Sequence, residues 1–454
     1  MSPDPEQEYF SDGLTEEIIT DLSHIENLLV ISRSSAMTFK GTKKKLKEIA
    51  REVNVQYVLE GSVRKAGNNL RITAQLIDAS NDAHIWADKL SGTLDDVFDI
   101  QEKVSRSIVD TLEVKLSPKA DKKLAGRSID NLAAYDCYLR ARQEIMLLSE
   151  EGLSRALQLI ETGLNISGKN EILYASLAYI YVQFINLGVS TDEGLLKEAE
   201  DYVNKAFSLN QDSSLAHSVM GQIHWKRGEI QEAVRDLTKA LIIEPNSPEA
   251  LYWLNWIYLF SGRVSAARPL IEKLVEIDPL NPANYMMLGG CDGFSGKCEG
   301  ALQHYYKAFQ MGQESPLFRF VYARGLIFAH RYDEAITLID LMAEELPQEI
   351  FAEIGLLYKC ALQKEQPELR QPATDRLISY AERDELIPIL LAECYALLNE
   401  KDEAMSWIER GVNWGFINYP YLNEYDPLLE NIRGEERFKK LMERVRHEWE
   451  GFEV

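Results

Sequence analysis

A chain of 454 residues is too long for one ordinary domain, and 46% apolar with 27% charged residues is a composition that builds packed cores. Its 49 Lys and Arg against 72 Asp and Glu leave a net charge of −23. That balance excludes a general nucleic-acid binder, which needs a basic face to displace counterions, and it disfavours docking on anionic lipid.

The opening MSPDPEQEYFSDG is acidic and polar, unlike a secretory signal peptide, so the expected location is cytoplasmic. Leu14, Ile18, Ile19, Leu22 and Ile25 recur at helical spacing and predict a helix over 14–25, capped by Asp12 or Thr15. The apolar run LLVIS at 28–32 reads as a short buried strand. Residues 44–53 are again helical, through Leu46, Ile49 and Val53. Residues 55–65 and 70–78 alternate in polarity around the turn text AGNN, which predicts a β-hairpin. On its second arm Leu70, Ile72, Ala74 and Leu76 share one face, and Arg71, Thr73 and Gln75 the other. Residues 83–90 give a third strand after a Ser-Asn-Asp turn, and 94–116 a long amphipathic helix through Leu94, Val97, Ile100, Val104 and Ile108. The order helix, strand, helix, three strands, helix predicts an α+β domain over 1–117, a small mixed sheet carrying helices. The charged text PKADKKLAGR then marks a linker over 118–133.

Three stretches of this domain, EYFSDGLTEEIITDLS, VISRSS and YVLEGSVRKAGNNLRITAQLIDASNDAHIWADKL, resemble the TolB-like (FlgO-like) amino-terminal domain over about residues 3–117. The resemblance implies a bacterial signalling protein, because that domain commonly precedes helical repeats and follows a cyclase, winged-helix or kinase domain. It implies no reaction for these residues. The family pattern has an apolar strand just before the DPEQEYF segment, where this sequence begins, so the sheet is expected to lack its first strand and the sequence to be a fragment or a shortened form.

Beyond the linker the sequence repeats. Ala199, Ala233, Ala267, Ala301 and Ala335 are each 34 residues apart, and Ala156 and Ala404 extend the series with longer gaps. Gly228, Gly262 and Gly296 lie five residues before their alanines, and Pro245, Pro279 and Pro347 twelve after. A small residue lets two antiparallel helices approach closely, a glycine turns the chain between them, and a proline ends the second helix. Leu237, Ile271, Tyr305 and Ile339 share one phase and fill the space between the helices. The register resembles the tetratricopeptide repeat. Repeats are expected over 134–418, about seven to eight in all: longer ones at 134–170 and 171–213, regular ones at 214–247, 248–281, 282–315 and 316–349, a degenerate one at 350–384 with Leu369 at the alanine position, and a last at 385–418. The tail 419–454 carries an amphipathic helix (Phe438, Leu441, Met442, Val445) expected to cap the final apolar face of an α-helical superhelical solenoid.

No catalytic motif emerges. The text GGCDGFSGKC at 289–298 has the wrong spacing for a phosphate-binding loop, and its glycines follow the repeat register. Five scattered cysteines make neither a disulfide framework nor paired zinc ligands, although Cys291, Cys298 and His304 could meet. His217 and His224 lie two turns apart on one helix, where packing is the better reading, and His330 takes a turn position held elsewhere by glycine. No enzyme activity, cofactor or metal is therefore expected. The apolar stretch from Ile387 to Leu398 contains Glu393 and is too short to span a bilayer.

One surface is informative. The first helices of such repeats line a concave face, here holding Trp225, Tyr252, Trp256, Phe260, Met286, Phe294, Phe320, Arg324 and Phe328. Aromatic and arginine side chains are common interface anchors. The competing reading packs them on one another or on other parts of the chain. The expectation is a non-catalytic scaffold or sensory module that binds a protein, peptide or helix in this groove, with no nucleic acid and with an upstream effector domain as a candidate partner. The alternatives are a fragment of an adenylate or guanylate cyclase, or other effector, whose catalytic domain lies outside these residues, and an envelope-assembly factor.

Overall fold

The computed structural model describes residues 5–25, 28–93, 96–117, 121, 124, 129–147, 149–190, 192–363, 373–382 and 384–454. Leu94, most of the linker text at 118–127 and Leu369 lie outside the described residues. The protein is mostly helical, with a three-stranded sheet near the amino terminus. It divides into two compact units, one of residues 1–251 with 276–279, the other of 252–275 with 280–454.

In the first unit, helix α1 (Pro5–Ser23) starts well before the expected 14–25. Asp12 and Thr15 are therefore mid-helix and not caps: Asp12 pairs with Lys40 Nζ at 2.8 Å, and Thr15 Oγ1 donates to the Ser11 carbonyl at 2.9 Å. Two short helices follow, α2 (Arg33–Met37) and α3 (Leu46–Glu52). The strands β1 (Tyr57–Ala66), β2 (Asn69–Asp78) and β3 (Ala83–Thr93) then form a sheet of order β1-β2-β3. Ala66 pairs with Asn69, so the hairpin loop is Gly67-Asn68, with Gly67 at a φ of +60° that a side chain would resist.

Helix α4 (Val97–Thr111) completes the layer. Phe10, Leu14, Ile18 and Leu22 form one stripe of α1, and they pack with Leu70, Ile72, Ala74 and Leu76 of β2 and Val97, Ile100, Val104 and Ile108 of α4. The alternation along β2 is thus the sheet's buried face.

Two expectations are corrected. The sheet is antiparallel throughout the described residues, not mixed. The run at 28–32 is not a strand, because its backbone finds another partner: the Ser32 N–H donates to the Ile277 carbonyl at 2.7 Å, and Ser32 then caps α2 by accepting from the Ser35 N–H. An apolar run of five has too little periodicity to separate a strand from a docked loop.

The repeat region is a series of helix pairs. They are α5 (Leu132–Ile145) with α6 (Glu150–Ser167), α7 (Glu171–Asn186) with α8 (Glu193–Leu209), α9 (Ser214–Lys226) with α10 (Ile230–Ile243), and α11 (Pro248–Phe260) with α12 (Val264–Ile277). Next come α13 (Pro282–Gly293) with α14 (Cys298–Met311), α15 (Pro316–Phe328) with α16 (Tyr332–Glu345), α17 (Ile350–Leu362) with α18 (Asp375–Ala381), and α19 (Ile387–Leu397) with α20 (Lys401–Asn413). All seven phased alanines are buried in second helices. A Cβ on Gly221 would fall 2.6 Å from Leu237 Cγ, which is the close helix approach that the small residues permit. The pair turns have positive φ at Gly228, Gly262 and Gly296, and His330 and Asn399 adopt the same conformation in later pairs. Side-chain caps open many helices, as at Asn131, Ser149, Asn170 and Ser213.

After α20 the chain passes through a π-turn (Tyr421–Tyr425) and a 3-10 turn (Pro427–Leu429) to helix α21 (Glu436–Gly451). Phe438, Leu441, Met442 and Val445 of α21 are buried, and Arg437 pairs with Glu409 of α20. The carboxyl-terminal end also reaches α11 and the turn that follows it, in its own unit. Arg263 stacks on Trp449 and donates to the carbonyls of Trp449 and Phe452. The tail is therefore more than a cap on the last pair.

Candidate functional site

In the second unit most of the residues expected on the concave face are buried. Phe260, Phe294, Phe320 and Phe328 are buried, as is Met286. The expectation that they line an open groove is corrected by what covers them. Phe416 packs on Phe260 and Phe294, with ring centroids 5.2 and 5.9 Å away, and Tyr421 packs on Phe294 at 4.6 Å. Phe320 lies against Phe351 and Tyr358 of α17. Asn418 fixes the covering segment by donating to the Leu259 carbonyl at 2.8 Å.

Arg324 is equally committed. It makes a two-pronged pair with Glu393 of α19 and donates to the Tyr421 hydroxyl, while Tyr358 donates to the same carboxylate. Glu393 has no exposed surface. Asp426 lies beside this group, also fully buried, and burial, with the Glu393 charge second, pushes its carboxyl well above the usual range. Its Oδ2 receives no hydrogen bond. A narrow cleft beside Arg324, lined by Phe294, Cys298, Tyr305, Phe328 and Tyr421, has room for about one water molecule.

Two of the aromatic residues expected in the groove keep accessible surface. Tyr252 and Trp256 are half-buried and stack with centroids 6.2 Å apart, and Trp256 Nε1 donates to Glu385 at 3.1 Å. Burial, reinforced by the Glu385 charge, raises the Tyr252 phenol to about 12, so it stays a neutral donor. Trp225 belongs to the first unit and is buried there.

Three of the histidines singled out in the sequence pair with carboxylates, and Cys291 is buried. His217 Nδ1 and His224 Nε2 lie 2.8 and 3.4 Å from the two oxygens of Asp236, on the facing helix α10. His304 lies 3.5 Å from Asp292, which also binds Arg268. Burial raises the Cys291 thiol to about 12, which makes it an inert core group. No group of three or more His, Cys, Asp or Glu among the described residues could hold a metal ion. No helix among them is long and apolar enough to cross a membrane.

Sequence reasoning missed the first unit's polar junction. The VISRSS segment closes on Asp278, in the loop after α12. Ser32 Oγ and Ser35 Oγ donate to its Oδ1 at 2.5 and 2.6 Å, and Ser34 Oγ donates to both oxygens at 2.9 Å. Asp278 is 4% exposed. Nearby, Asn246 donates to the Ser23 carbonyl at 3.0 Å. Glu16 of α1 pairs with Arg33 and with Arg142 of α5. Gly13 completes the fit, since a Cβ there would meet Leu139 of α5 at 2.7 Å. Three serines in four residues were the available signal; their acceptor lies about 245 residues away.

The same junction holds two carboxyls with raised pKa. Burial lifts Glu17 to about 8, with Asp21 adding to it, and lifts Asp21 to about 7 against a hydrogen bond from Ser105. The folded state therefore binds protons that the unfolded chain releases above the ordinary carboxyl range. Stability conferred by these two groups is greatest at acidic pH and falls as pH rises through about 7 to 8. The first unit should show a lower midpoint at pH 8.5 than at pH 5.5, and Glu17→Gln with Asp21→Asn should flatten that difference. An unchanged pH slope in the double variant would assign the effect elsewhere.

Comparison with known proteins places these observations. A model described as tetratricopeptide repeat matches residues 224–289, and one described as HilA/YgeH-like transcriptional regulator, second domain, matches residues 4–108. The first match puts tetratricopeptide repeats within the helix-pair region, at residues 224–289. A protein named "Putative adenylate cyclase 3" from Rhizobium meliloti is 40% identical over 209 residues, 44% of this chain and 36% of that one. "Transcriptional regulator HilA" of Salmonella typhimurium is 23% identical over 146 residues, 32% of this chain and 26% of that one. "Anaphase-promoting complex subunit 3" of Schizosaccharomyces pombe is 26% identical over 147 residues, 32% of this chain and 22% of that one. The matched stretches thus span about a third or less of these relatives. Among solved structures, Pseudomonas aeruginosa pilF has 16% identity and a TM-score of 0.38, covering 48% of this chain and 95% of that one. A tetratricopeptide repeat protein from Parabacteroides merdae has 13% identity and a TM-score of 0.36, covering 70% of this chain and 100% of that one.

Proposed function

We propose that this chain is a non-catalytic interaction module, a scaffold or sensory part of a bacterial signalling protein that works in the cytoplasm. The observation that carries the reading is that stretches similar to this chain occur in relatives named for two unlike activities, an adenylate cyclase and a transcriptional regulator. Stretches that recur in unlike effectors are better suited to receiving or relaying a signal than to either chemistry. The TolB-like resemblance of residues 3–117 supports the same role, and so does the repeat region, whose helix pairs are built for protein contact.

The groove reading narrows to the Tyr252–Trp256 step, where two stacked rings keep accessible surface and can anchor an extended segment or helix of a partner protein. Capture from source cells with the wild type and with Tyr252→Ala plus Trp256→Ala tests it, after circular dichroism confirms that the variant is folded. Loss of a specific partner supports the step as anchor, with an affinity fall of about thirtyfold for a hot-spot aromatic. A folded variant that retains every partner removes the step from consideration.

The second reading, a portion of a cyclase whose catalytic domain lies outside these residues, is favoured by the 40% identity to the Rhizobium meliloti protein. Under both readings the 454-residue chain makes no cyclic nucleotide, and turnover of ATP or GTP by the purified chain would overturn them together.

A further inference from the structure

In the first unit, three tyrosines form a ladder across two helices. Tyr181 of α7 stacks on Tyr202 of α8 with centroids 5.9 Å apart and planes 14° from parallel, and Tyr174, two turns before Tyr181, lies 6.2 Å from Tyr202 on the other side. All three are half-buried, so ring surface stays open to solvent.

The edge of the ladder is acidic. Exposed Glu198, one turn before Tyr202, interacts with the Tyr181 hydroxyl, and exposed Glu161 of α6 adds its charge to the hydroxyl ends of Tyr181 and Tyr202. The ladder already holds a cation of its own. The Lys205 ammonium sits 4.0 Å from the Tyr202 ring centroid and 6.0 Å from that of Tyr174. Ring faces attract an ammonium through their quadrupole, and one lysine against two carboxylates leaves the patch anionic.

We propose that the ladder of Tyr174, Tyr181 and Tyr202, edged by Glu161 and Glu198, is a docking surface for a basic segment of a partner protein that presents lysine or arginine side chains. Charge complementarity selects this occupant. The faces select cations, the carboxylates at the edge pair with them, and the chain's charge of −23 steers a basic partner inward. The surface lies in the first unit, so it stands or falls independently of the Tyr252–Trp256 step.

The test is fluorescence anisotropy of the full chain with a labelled peptide of alternating lysine and alanine. Glu161→Gln with Glu198→Gln should weaken binding about fivefold, and Tyr181→Leu about threefold. The charge-matched control Glu150→Gln with Glu151→Gln, exposed positions on the same α6, should stay within about twofold. Lys205→Ala should strengthen binding more than Lys197→Ala, because only Lys205 covers the rings. If the control pair loses as much as the Glu161 and Glu198 pair, diffuse charge explains the binding and the proposal fails. It fails equally if the Glu161 and Glu198 pair changes affinity by less than about twofold, a readout from exposed positions that does not depend on Tyr181→Leu folding.

Discussion

Glu393→Leu should destabilise the second unit by roughly 3–5 kcal/mol, the range found when one partner of a buried ion pair is removed. Glu393 is fully buried and accepts from Arg324, Tyr358 and Tyr421. Without it the Arg324 guanidinium is left in an apolar setting with two phenols, and Asp426 is the carboxyl that remains beside it. Arg324→Leu combined with Glu393→Leu should recover part of the loss, since no charge is then stranded. The recovery stays partial because the phenols remain unpartnered. Tryptophan fluorescence in urea reads this directly, since Trp253, Trp256, Trp407, Trp414 and Trp449 lie in the second unit. A single-variant cost below about 1 kcal/mol would show that water reaches Arg324 and that the cluster is not sealed.

That cluster shows where sequence reading stops. The 34-residue alanine series was legible because each small residue answers to a local demand, a helix pair brought close, repeated in register. The hairpin was legible for the same reason, with its turn text lying between its two strands. The aromatic residues of the first helices were picked out by their register, but much of what covers them lies at 385–426, and no local pattern announces a contact between residues so far apart in the chain. A weaker signal existed. The text IPILLAECYAL of α19 is apolar all round except for Glu393, and a helix without a polar face is a buried one. The lone acid in α19 then requires a buried cation, and Arg324 was already singled out on the neighbouring face.

The LLVIS run was misread for a related reason. Five apolar residues satisfy a strand template, but the decisive fact is where Ser32 sends its N–H, to a repeat-loop carbonyl. VISRSS is one of the stretches that carry the resemblance over 3–117, and its sequence alone offers no physical reason for three serines. Their convergence on Asp278 supplies one: hydroxyls are short donors that can crowd around a single carboxylate where lysine or arginine would not fit.

Asp278→Ala should therefore cost roughly 3 kcal/mol in the first unit, because hydrogen bonds to a charged group are worth roughly 1.5–3 kcal/mol each and do not add fully when they share an acceptor. Two of the three hydroxyls, those of Ser32 and Ser35, are buried and would lose this acceptor where water has little access. Ser34 is exposed and can be resolvated, so Ser34→Ala should cost much less than Ser35→Ala. A double-mutant cycle of Ser35→Ala with Asp278→Asn isolates the pair, and a coupling of about 1 kcal/mol or more is expected. Hydrogen exchange separates a clasp from a local defect. If the serines and Asp278 hold the α+β domain to the repeat loop, Asp278→Ala should release protection at 32–37 and at 276–279 together, with little change in the β2 ladder. Release confined to 276–279 would mean that the serine segment is held by its own apolar contacts, and the clasp would then be a consequence of docking, not its cause.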